Sequence, residues 1–404
     1  MKGCRVSFAF AVGPTIRALT LVLFFLPPGC SNREAYVPPD LLYLFATYKV
    51  GKNPTAIQAG DFNQDGFSDL VTSNISANTL SLLIGNGDGS FQPQVSIHVC
   101  QEPRNLLVRD FSGDRHEDLA VACSGSNEVA MFFGHGDGTF DRNARYRVHR
   151  TPVSIASGDF NSDQRLDFVV ALRNDKLQLF FGDGKGQFRS GPLYEYGDTP
   201  TSVAAADLNQ DGHMDLAVTN GGPMSSAVSI WLGQGDGKFL RPADYRTGKR
   251  PLSVSFADFN NDGAVDLLVV NGQMNTITVF LGNGDGTFQD GIDSGGDAGP
   301  NHGLVQDFDG DSIPDAAVVN IQSGSLSVLF GKGDGSFHYP PRHYPTPRGP
   351  FALTSLLVAN GRDEEPGVAV ANNAENSVSI FLHHGLRSRE QIAVASPTPH
   401  LPPT

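Results

Sequence analysis

A nine-residue motif that returns about every 49 residues limits the possible folds of this chain more than any other feature. The first copy, DFNQDGFSD, begins at Asp61. Five more copies follow at intervals of 49, 49, 48, 51 and 49 residues, beginning at Asp110, Asp159, Asp207, Asp258 and Asp307. A degraded seventh copy keeps Asp363 but has Ala359 and Gly367 in place of the first and last aspartates. Such a period predicts seven copies of one structural unit.

The pattern within each unit predicts four short β-strands. A proline stands seven residues before the first aspartate in six copies, and apolar residues alternate between them, as in TSVAAAD. Period-two alternation predicts a strand, and apolar runs such as DLAVTN and TITVFLG predict a second and a third. Glycine clusters such as GNGDGSF permit the positive φ of a tight hairpin into a fourth strand. Four strands repeated seven times predict an all-β fold, a seven-bladed β-propeller of four-stranded blades.

The combination of DFNxDGxxDL with GxGDGxF resembles the FG-GAP/VCBS repeat family. The best-known members of that family are the seven-bladed propellers of integrin α chains. The resemblance extends over residues 41–386 and implies the same integrin α-like ring.

Closure of the ring depends on one strand that is out of order. The seventh unit lacks the glycine turn and has FLHHGLRS from Phe381, whereas residues 41–54 have the pattern of a fourth strand without a unit of its own. We therefore expect this N-terminal strand to complete blade seven by pairing with residues 377–382. The alternative is a closing strand from residues 390–395. Closure in either way leaves no inner sheet edge open.

The N-terminal segment has the pattern of an export signal. Basic residues precede the apolar run ALTLVLFFL, which is shorter than the about 20 residues of a membrane-spanning helix and typical of a signal peptide. Gly29 before Cys30 is similar to a bacterial lipobox, in which Cys30 would be lipidated. Pro27 and Pro28 depart from that pattern, so ordinary cleavage is the alternative. We expect a secreted protein, or one in the bacterial cell envelope that contacts the membrane only through a lipid anchor.

The expected organisation is a signal peptide at residues 1–30, a linker at 31–40, the propeller at 41–386 and a disordered tail at 387–404.

The repeated motif has the spacing of a calcium loop. Calcium takes six to eight oxygen ligands, which a tight loop supplies from side chains at alternate positions and one backbone carbonyl. In loop one these would be Asp61, Asn63, Asp65, the carbonyl of Phe67, and Asp69. An EF-hand instead ends in a glutamate at position twelve. The expected ligands of loops two to six, in the same order, are Asp110, Ser112, Asp114, His116, Asp118; Asp159, Asn161, Asp163, Arg165, Asp167; Asp207, Asn209, Asp211, His213, Asp215; Asp258, Asn260, Asp262, Ala264, Asp266; and Asp307, Asp309, Asp311, Ile313, Asp315.

The six loops differ at position six, where the sharp turn favours glycine. Loops one, four and five have glycine there and are expected to bind calcium best. Loop six has four aspartates but Ser312 at that position. Loops two and three, with Arg115 and Gln164, are expected to be weaker, and the degraded seventh copy is expected to bind none.

The alternative for every loop is a metal-free turn in which the aspartates hydrogen-bond their own backbone. Against it, 19 aspartates are crowded into six loops, and like charges repel at such distances. Six calcium ions would change the formal net charge from −14 to about −2. We expect a structural role for them.

Strand direction places the calcium loops and the glycine turns at one end of the ring. The other end carries loops that differ between repeats, where binding residues on a rigid scaffold are concentrated; drift of unconstrained turns is the alternative. These loops include residues 123–128, 149–150, 220–226, 245–250, 271–275, 290–301 and 343–348. An asparagine ring at this end either faces a ligand or tolerates a left-handed turn; its members are Asn74, Asn220, Asn271, Asn320 and Asn372. Cys100 and Cys123 also lie there and are expected to form a disulfide in an exported chain.

Composition and motifs argue against two classes of function. The chain has 43 acidic and 29 basic residues, which disfavours nucleic acid as a partner. Its 11 histidines show no zinc spacing and no GxSxG motif is present, so we expect no catalytic residues and no enzyme. We expect Trp231 to pack inside a blade.

We therefore expect a monomeric calcium-binding module for adhesion or for binding a protein or glycan on the face opposite the calcium loops. The alternatives are a polysaccharide-acting enzyme that uses the channel or that face, and a purely structural envelope protein.

Overall fold

The computed structural model describes residues 36–195, 199–222, 226–360 and 363–384. Its regular elements are 28 strands in seven four-stranded antiparallel sheets, with no α-helix among the described residues. Also within the described residues, no helix has the length and apolar character needed to cross a membrane. The expected all-β, seven-bladed fold is confirmed. The expected signal peptide with Cys30, the alternative strand at 390–395 and the expected tail lie outside the described residues.

The blades follow one another along the chain. Blade one contains β2 (Pro54–Gly60), β3 (Asp69–Asn74), β4 (Thr79–Leu83) and β5 (Val95–His98). Blade two contains β6 (Pro103–Arg109), β7 (Asp118–Cys123), β8 (Glu128–Gly134) and β9 (Phe140–Arg147). Blade three contains β10 (Pro152–Gly158), β11 (Asp167–Leu172), β12 (Lys176–Gly182) and β13 (Phe188–Glu195). Blade four contains β14 (Pro200–Ala206), β15 (Asp215–Asn220), β16 (Ala227–Trp231) and β17 (Ala243–Arg246).

The remaining three blades complete the ring. Blade five contains β18 (Pro251–Ala257), β19 (Asp266–Asn271), β20 (Thr276–Phe280) and β21 (Ile292–Gly295). Blade six contains β22 (Pro300–Gln306), β23 (Asp315–Asn320), β24 (Ser325–Leu329) and β25 (Arg342–Pro345). Blade seven contains β26 (Pro350–Asn360), β27 (Asp363–Asn372), β28 (Ser377–His383) and, from the start of the chain, β1 (Leu42–Lys49).

The first strands of the seven blades surround a central channel. Each contacts the first strand of the next blade, and β26 contacts β2, so the ring is closed. All seven begin with the repeated proline, and the pairing with the second strand shifts register immediately after it. Proline lacks an amide hydrogen and is tolerated at a strand's first residue. The proline therefore marks where each blade starts.

The strand from the start of the chain closes blade seven, as expected from the sequence. β1 pairs antiparallel with β28 from Leu42 opposite His383 to Lys49 opposite Ser377. Six of the seven residues of β28 are buried, because β27 and β1 flank it on both sides. The start and the end of the ring are thus held in one sheet.

The hydrophobic core lies between the faces of adjacent blades. One cluster joins Leu80 and Leu82 of blade one to Val121 and Phe132 of blade two, and a matching cluster joins blade seven to blade one. The second strands of blades one to six are buried at every position, which explains their unbroken apolar runs. Trp231 is 5% exposed in the cluster between blades three and four, as expected for a packing residue.

A repeated aromatic contact links four of the six aspartate loops to the next blade. Phe160, the second residue of loop three, packs edge-to-face on Phe239 at the end of the next blade's glycine turn, with ring centroids 5.9 Å apart. The amide of Gly237 in that turn donates to the carbonyl of Phe160 at 2.8 Å. The pairs Phe62–Phe140, Phe111–Phe188 and Phe259–Phe337 repeat the ring contact. In these four loops the phenylalanine therefore stabilises the boundary between two blades.

Candidate functional site

The ring has two chemically different ends. The loops between first and second strands and the glycine turns between third and fourth strands lie at one end, here called the aspartate face. The loops between second and third strands and the connections between blades lie at the other end, here called the variable face. Adjacent aspartate loops also contact each other: Gln64 Nε2 donates to the carbonyl of Arg115, and Gln210 Nε2 to that of Gly263.

Every aspartate loop places two residues in the left-handed backbone region, at positions four and six. In loops one, four and five, position six is Gly66, Gly212 or Gly263, with φ between 84° and 86°. Loop three has Ser162 and Gln164 at positions four and six, with φ of 57° and 64°.

Loops two and six reverse the usual arrangement of glycine. Position four is Gly113 or Gly310, while Arg115 and Ser312 take φ of 72° and 67° at position six. The turn is the same in all six loops. A left-handed conformation is unfavourable for a residue with a side chain, so loop three, which has no glycine at either position, carries the largest cost.

The last aspartate of each loop is buried and ties the loop to the glycine turn of its own blade. Asp69 is 0% exposed; its Oδ2 accepts from the amide of Phe62 at 2.9 Å and its Oδ1 from the amide of Gly85 at 2.7 Å. The same two bonds recur in the other five loops, at Asp118, Asp167, Asp215, Asp266 and Asp315. Two backbone bonds leave further lone pairs on each carboxylate.

Burial raises the pKa of all six last aspartates, although their backbone hydrogen bonds oppose the rise. The pKa reaches about 6 for Asp69, Asp167 and Asp215, and about 7 for Asp315. The negative charges of Asp309 and Asp307 add to the effect at Asp315. Without a cation, these carboxylates are unfavourable in their charged form.

The side chains at positions one, three and five turn inward over the loop. In loop one, Asp61 accepts from the amides of Asp65 and Gly66, and Asp65 Oδ1 accepts from the amide of Phe67. Asn63 Nδ2 donates to Asp65 Oδ2 at 2.8 Å. Loops three, four and five repeat this network. The backbone bonds of the metal-free alternative are thus present, and they also hold the oxygens close together.

Loop six brings three carboxylates together. Oxygens of Asp307, Asp309 and Asp315 lie within 4.8 Å of one another. Asp311 accepts instead from the amide of Ile313, at 2.8 Å. Oxygen-rich sets of this kind suit calcium, so the residues present in loop six fit that ion.

Sequence inspection missed an additional acid beside loop one. Glu117, at position eight of loop two, lies against Gly60 of blade one. Burial raises its pKa, the adjacent backbone of Asp61 opposes the rise, and the charges of Asp61 and Asp69 increase it. The other loops have Ser68, Leu166, Met214, Val265 or Pro314 at this position. An acid at a position otherwise small or apolar is the signal that could have identified it.

Blade seven has a longer hairpin in place of an aspartate loop. β26 and β27 pair up to Asn360 opposite Asp363, so Ala359 and Gly367 lie in strands. Beside it, a cavity of about 340 Å³ lies between Leu357 and loop one, where Phe67 lines it.

A polar groove crosses three blades on the variable face. It has a volume of about 440 Å³ and is lined by Gly221, Arg250, Gly272, Gln273, Asn275 and Gln322. All of these residues except Gln322 lie in the variable-face loops that were expected from the sequence to carry binding residues. Gln322 lies two residues after Asn320, in the loop between the second and third strands of blade six. Comparison of this loop with those of the other repeats could have identified it. Of the loop at 220–226, residues 223–225 lie outside the described ranges.

The asparagine ring is structural, which corrects both sequence interpretations. These side chains are at most 8% exposed, and none has positive φ. Asn74 Nδ2 donates to Ser81 Oγ at 2.9 Å on the neighbouring strand, and Asn271 Nδ2 to Thr278 Oγ1 at 2.8 Å. The amides therefore link second and third strands and do not face a ligand.

Cys100 and Cys123 form a disulfide, with Cα atoms 5.9 Å apart. It joins the connection that enters blade two to the end of β7.

A family model described as FG-GAP-like repeat matches residues 61–121, 110–170, 159–218, 217–269 and 258–318. Together these matches cover more than half of the sequence. The chain belongs to the FG-GAP-like repeat family. No curated protein matches it.

Solved structures resemble this FG-GAP-like protein in fold. BBS1N, in a crystal structure with ARL6DN soaked with lead, matches with a TM-score of 0.61 and 10% identity, over 86% of this chain and 98% of that one. A streptogramin B lyase structure matches with a TM-score of 0.59 and 15% identity, over 85% of this chain and 98% of that one. At these identities the likeness extends to the fold alone.

Proposed function

We propose that this protein is an exported propeller, stabilised by calcium in its aspartate loops, that binds a protein or carbohydrate through the variable face. The observation that carries the proposal is the polar groove, which residues from three successive blades line together. Binding sites are commonly built from loops on a rigid scaffold. BBS1N, a protein of similar fold, occurs in complex with ARL6DN, which accords with a binding role.

The proposed role of calcium is to stabilise the scaffold, and not to take part in a reaction. The carboxylate cluster of loop six supports this, as does the raised pKa of Asp315, because a divalent cation would offset the repulsion between charged carboxylates. Loops one to five have their expected ligands at the same positions of the motif as loop six. When bound, calcium would supply positive charge and cross-link each loop.

Export is proposed from the N-terminal pattern of charge and hydropathy. The disulfide supports it, since disulfides persist in oxidising compartments. A lipid anchor at Cys30 remains a proposal of the same kind. A catalytic role has less support: the streptogramin B lyase shares the fold at 15% identity, which does not transfer an activity.

Calcium titration of the purified protein tests the structural part. We expect chelator to lower the melting temperature and calcium to restore it, because a site at one hundred times its Kd adds about 2.7 kcal/mol. Magnesium at equal concentration is the control. An unchanged melting temperature after complete removal of calcium would contradict the proposal.

A glycan and protein array tests the binding part. The calcium-loaded protein should bind a ligand that the double variant Arg250→Ala, Gln322→Ala loses. Lys238→Ala, on the aspartate face, is the matched control and should bind as well as wild type. Equal binding by all three proteins would rule out the groove.

A further inference from the structure

Seven residues surround the mouth of the channel on the variable face. They are the second residues of the first strands: Thr55, Arg104, Val153, Thr201, Leu252, Asn301 and Phe351. Three of them reach toward the next blade. Thr55 Oγ1 donates to the carbonyl of Arg104 at 3.0 Å, Thr201 Oγ1 to that of Pro251 at 2.8 Å, and Asn301 Nδ2 to that of Phe351 at 2.6 Å.

Arg104 is the charged member of this ring. Its side chain is half-buried and makes no hydrogen bond or ion pair with any of the described residues. The nearby Glu102 carboxylate accepts instead from Ser124 Oγ. A partly desolvated cation without a hydrogen-bonded partner is unfavourable, so this position favours an anion from outside the chain.

A second arginine lies beside it. The loop that carries Arg173 is fixed by a hydrogen bond from the Arg173 amide to the carbonyl of Thr151, directly before the first strand of blade three. Burial lowers the pKa of Arg104, the charge of Arg173 lowers it further, and Glu102 opposes both. The first strands of blades two and three are in contact, so both arginines lie at the same end of adjacent blades, and an anion that reaches both would offset the repulsion between their charges.

The surroundings favour a polar polymer over a protein partner. Among the described loops of the variable face, the large hydrophobic side chains that are more than a third exposed are Met274 and Ile321. Protein interfaces, in contrast, have an apolar and often aromatic centre. The polar groove also borders the mouth, because Gly221 packs on Thr201 and Gly272 on Leu252. Amide side chains and Arg250 line that groove.

We propose that Arg104 and Arg173 bind the carboxylate of a uronic acid residue in an acidic oligosaccharide whose neighbouring sugars extend toward the polar groove. A guanidinium holds a carboxylate through two parallel hydrogen bonds, a geometry that lysine cannot supply. This inference rests on the proposed function and names its ligand class.

Calorimetric titration with an oligogalacturonate tests the inference, with the methyl-esterified oligosaccharide as matched neutral ligand. Wild type should bind the acidic form and bind the ester about tenfold or more weakly. Arg104→Gln and Arg173→Gln should each weaken binding of the acidic form about tenfold or more, since each removes a charge-assisted hydrogen bond. Arg104→Lys should give an intermediate loss. Lys52→Gln, which removes one charge from the same face, should leave affinity unchanged.

Three results would overturn the inference. They are equal affinity for acid and ester, equal weakening by Lys52→Gln and Arg104→Gln, and tighter binding of an oligoglutamate peptide that depends on Arg104. Unchanged melting curves of each variant exclude misfolding. If the protein binds a neutral glycan or a protein at the groove, the uronate assignment fails while the proposed function stands. If nothing binds at the variable face, both fail.

Discussion

At the scale of single residues, the backbone of the aspartate loops is more uniform than their sequences. Positions four and six are left-handed in all six loops, whether glycine, serine, asparagine, glutamine or arginine occupies them. Only loops one, four and five have the favourable residue at position six. At position six the other loops hold the same geometry at a cost in free energy, which substitution can measure, and loop three lacks glycine at position four as well.

Replacing Gln164 with glycine should raise the free energy of unfolding by about 1 kcal/mol, because Gln164 has a φ of 64° that favours glycine. Urea unfolding at fixed calcium concentration measures the change. Lys185→Gly is the matched control: Lys185 lies in an exposed turn of the same blade without positive φ, and its replacement should lower stability. A loss of stability in both variants would contradict the strain argument.

The raised pKa of Asp315 predicts that the stability of the metal-free protein falls as the pH rises. Its pKa rises from 3.8 to about 7 on folding, so the folded state binds the proton more tightly than the unfolded state. Stability from this group is therefore complete below about pH 4 and is lost as the pH rises to about 7. In chelator, the stability of wild type relative to Asp315→Asn should fall across that range. A difference independent of pH would contradict the raised pKa.

At the scale of elements, each motif stabilises a boundary between blades as well as its own turn. The loop's second residue packs against the next blade, while its last aspartate bonds the glycine turn of its own blade. Blade four has Leu208 where the other five aspartate loops have phenylalanine, and it packs near Phe288 in the same manner. The family motif thus describes contacts across two blades.

Phe160→Ala should lower the free energy of unfolding by about 3–5 kcal/mol, because the ring is 2% exposed and its removal leaves a cavity. Phe160→Leu should cost about 1 kcal/mol, since Leu208 fills the equivalent place in blade four. Chemical denaturation of both variants measures the difference. Similar losses for alanine and leucine would show that the aromatic contact, and not the volume, dominates.

The sequence predicts the repeated elements well and the contacts between repeats poorly. Proline, alternation and glycine turns are local signals, so the strand order and the closing strand follow from them. Glu117 beside Asp61, and Arg173 beside Arg104, depend on how closely neighbouring blades approach, which no local pattern encodes. The asparagine ring was misjudged because its partners, such as Ser81, are on the adjacent strand.

At the scale of the whole molecule, one strand from the start of the chain completes the last blade of the ring. β1 covers the edge of β28, whose buried residues include Val378, Ile380 and Phe381. Without it, blade seven would have three strands and an apolar edge. Open edges of this kind pair with other chains.

A chain that starts at Val50 should therefore unfold at a lower temperature and self-associate, whereas one that starts at Leu41 should behave as the full chain does. Differential scanning calorimetry and light scattering measure the two effects. A truncated chain that is monomeric and equally stable would show that β1 is dispensable for closure.

The pairing of Leu42 with His383 also fixes an orientation. Both residues lie at the aspartate face, where the amide of His384 donates to the carbonyl of Leu41. A tether attached before β1 or after β28 would consequently leave from that side of the disc. Whether the tether is a lipid, a fusion partner or a tag on a sensor chip, the variable face would point away from the support and stay free to meet its ligand.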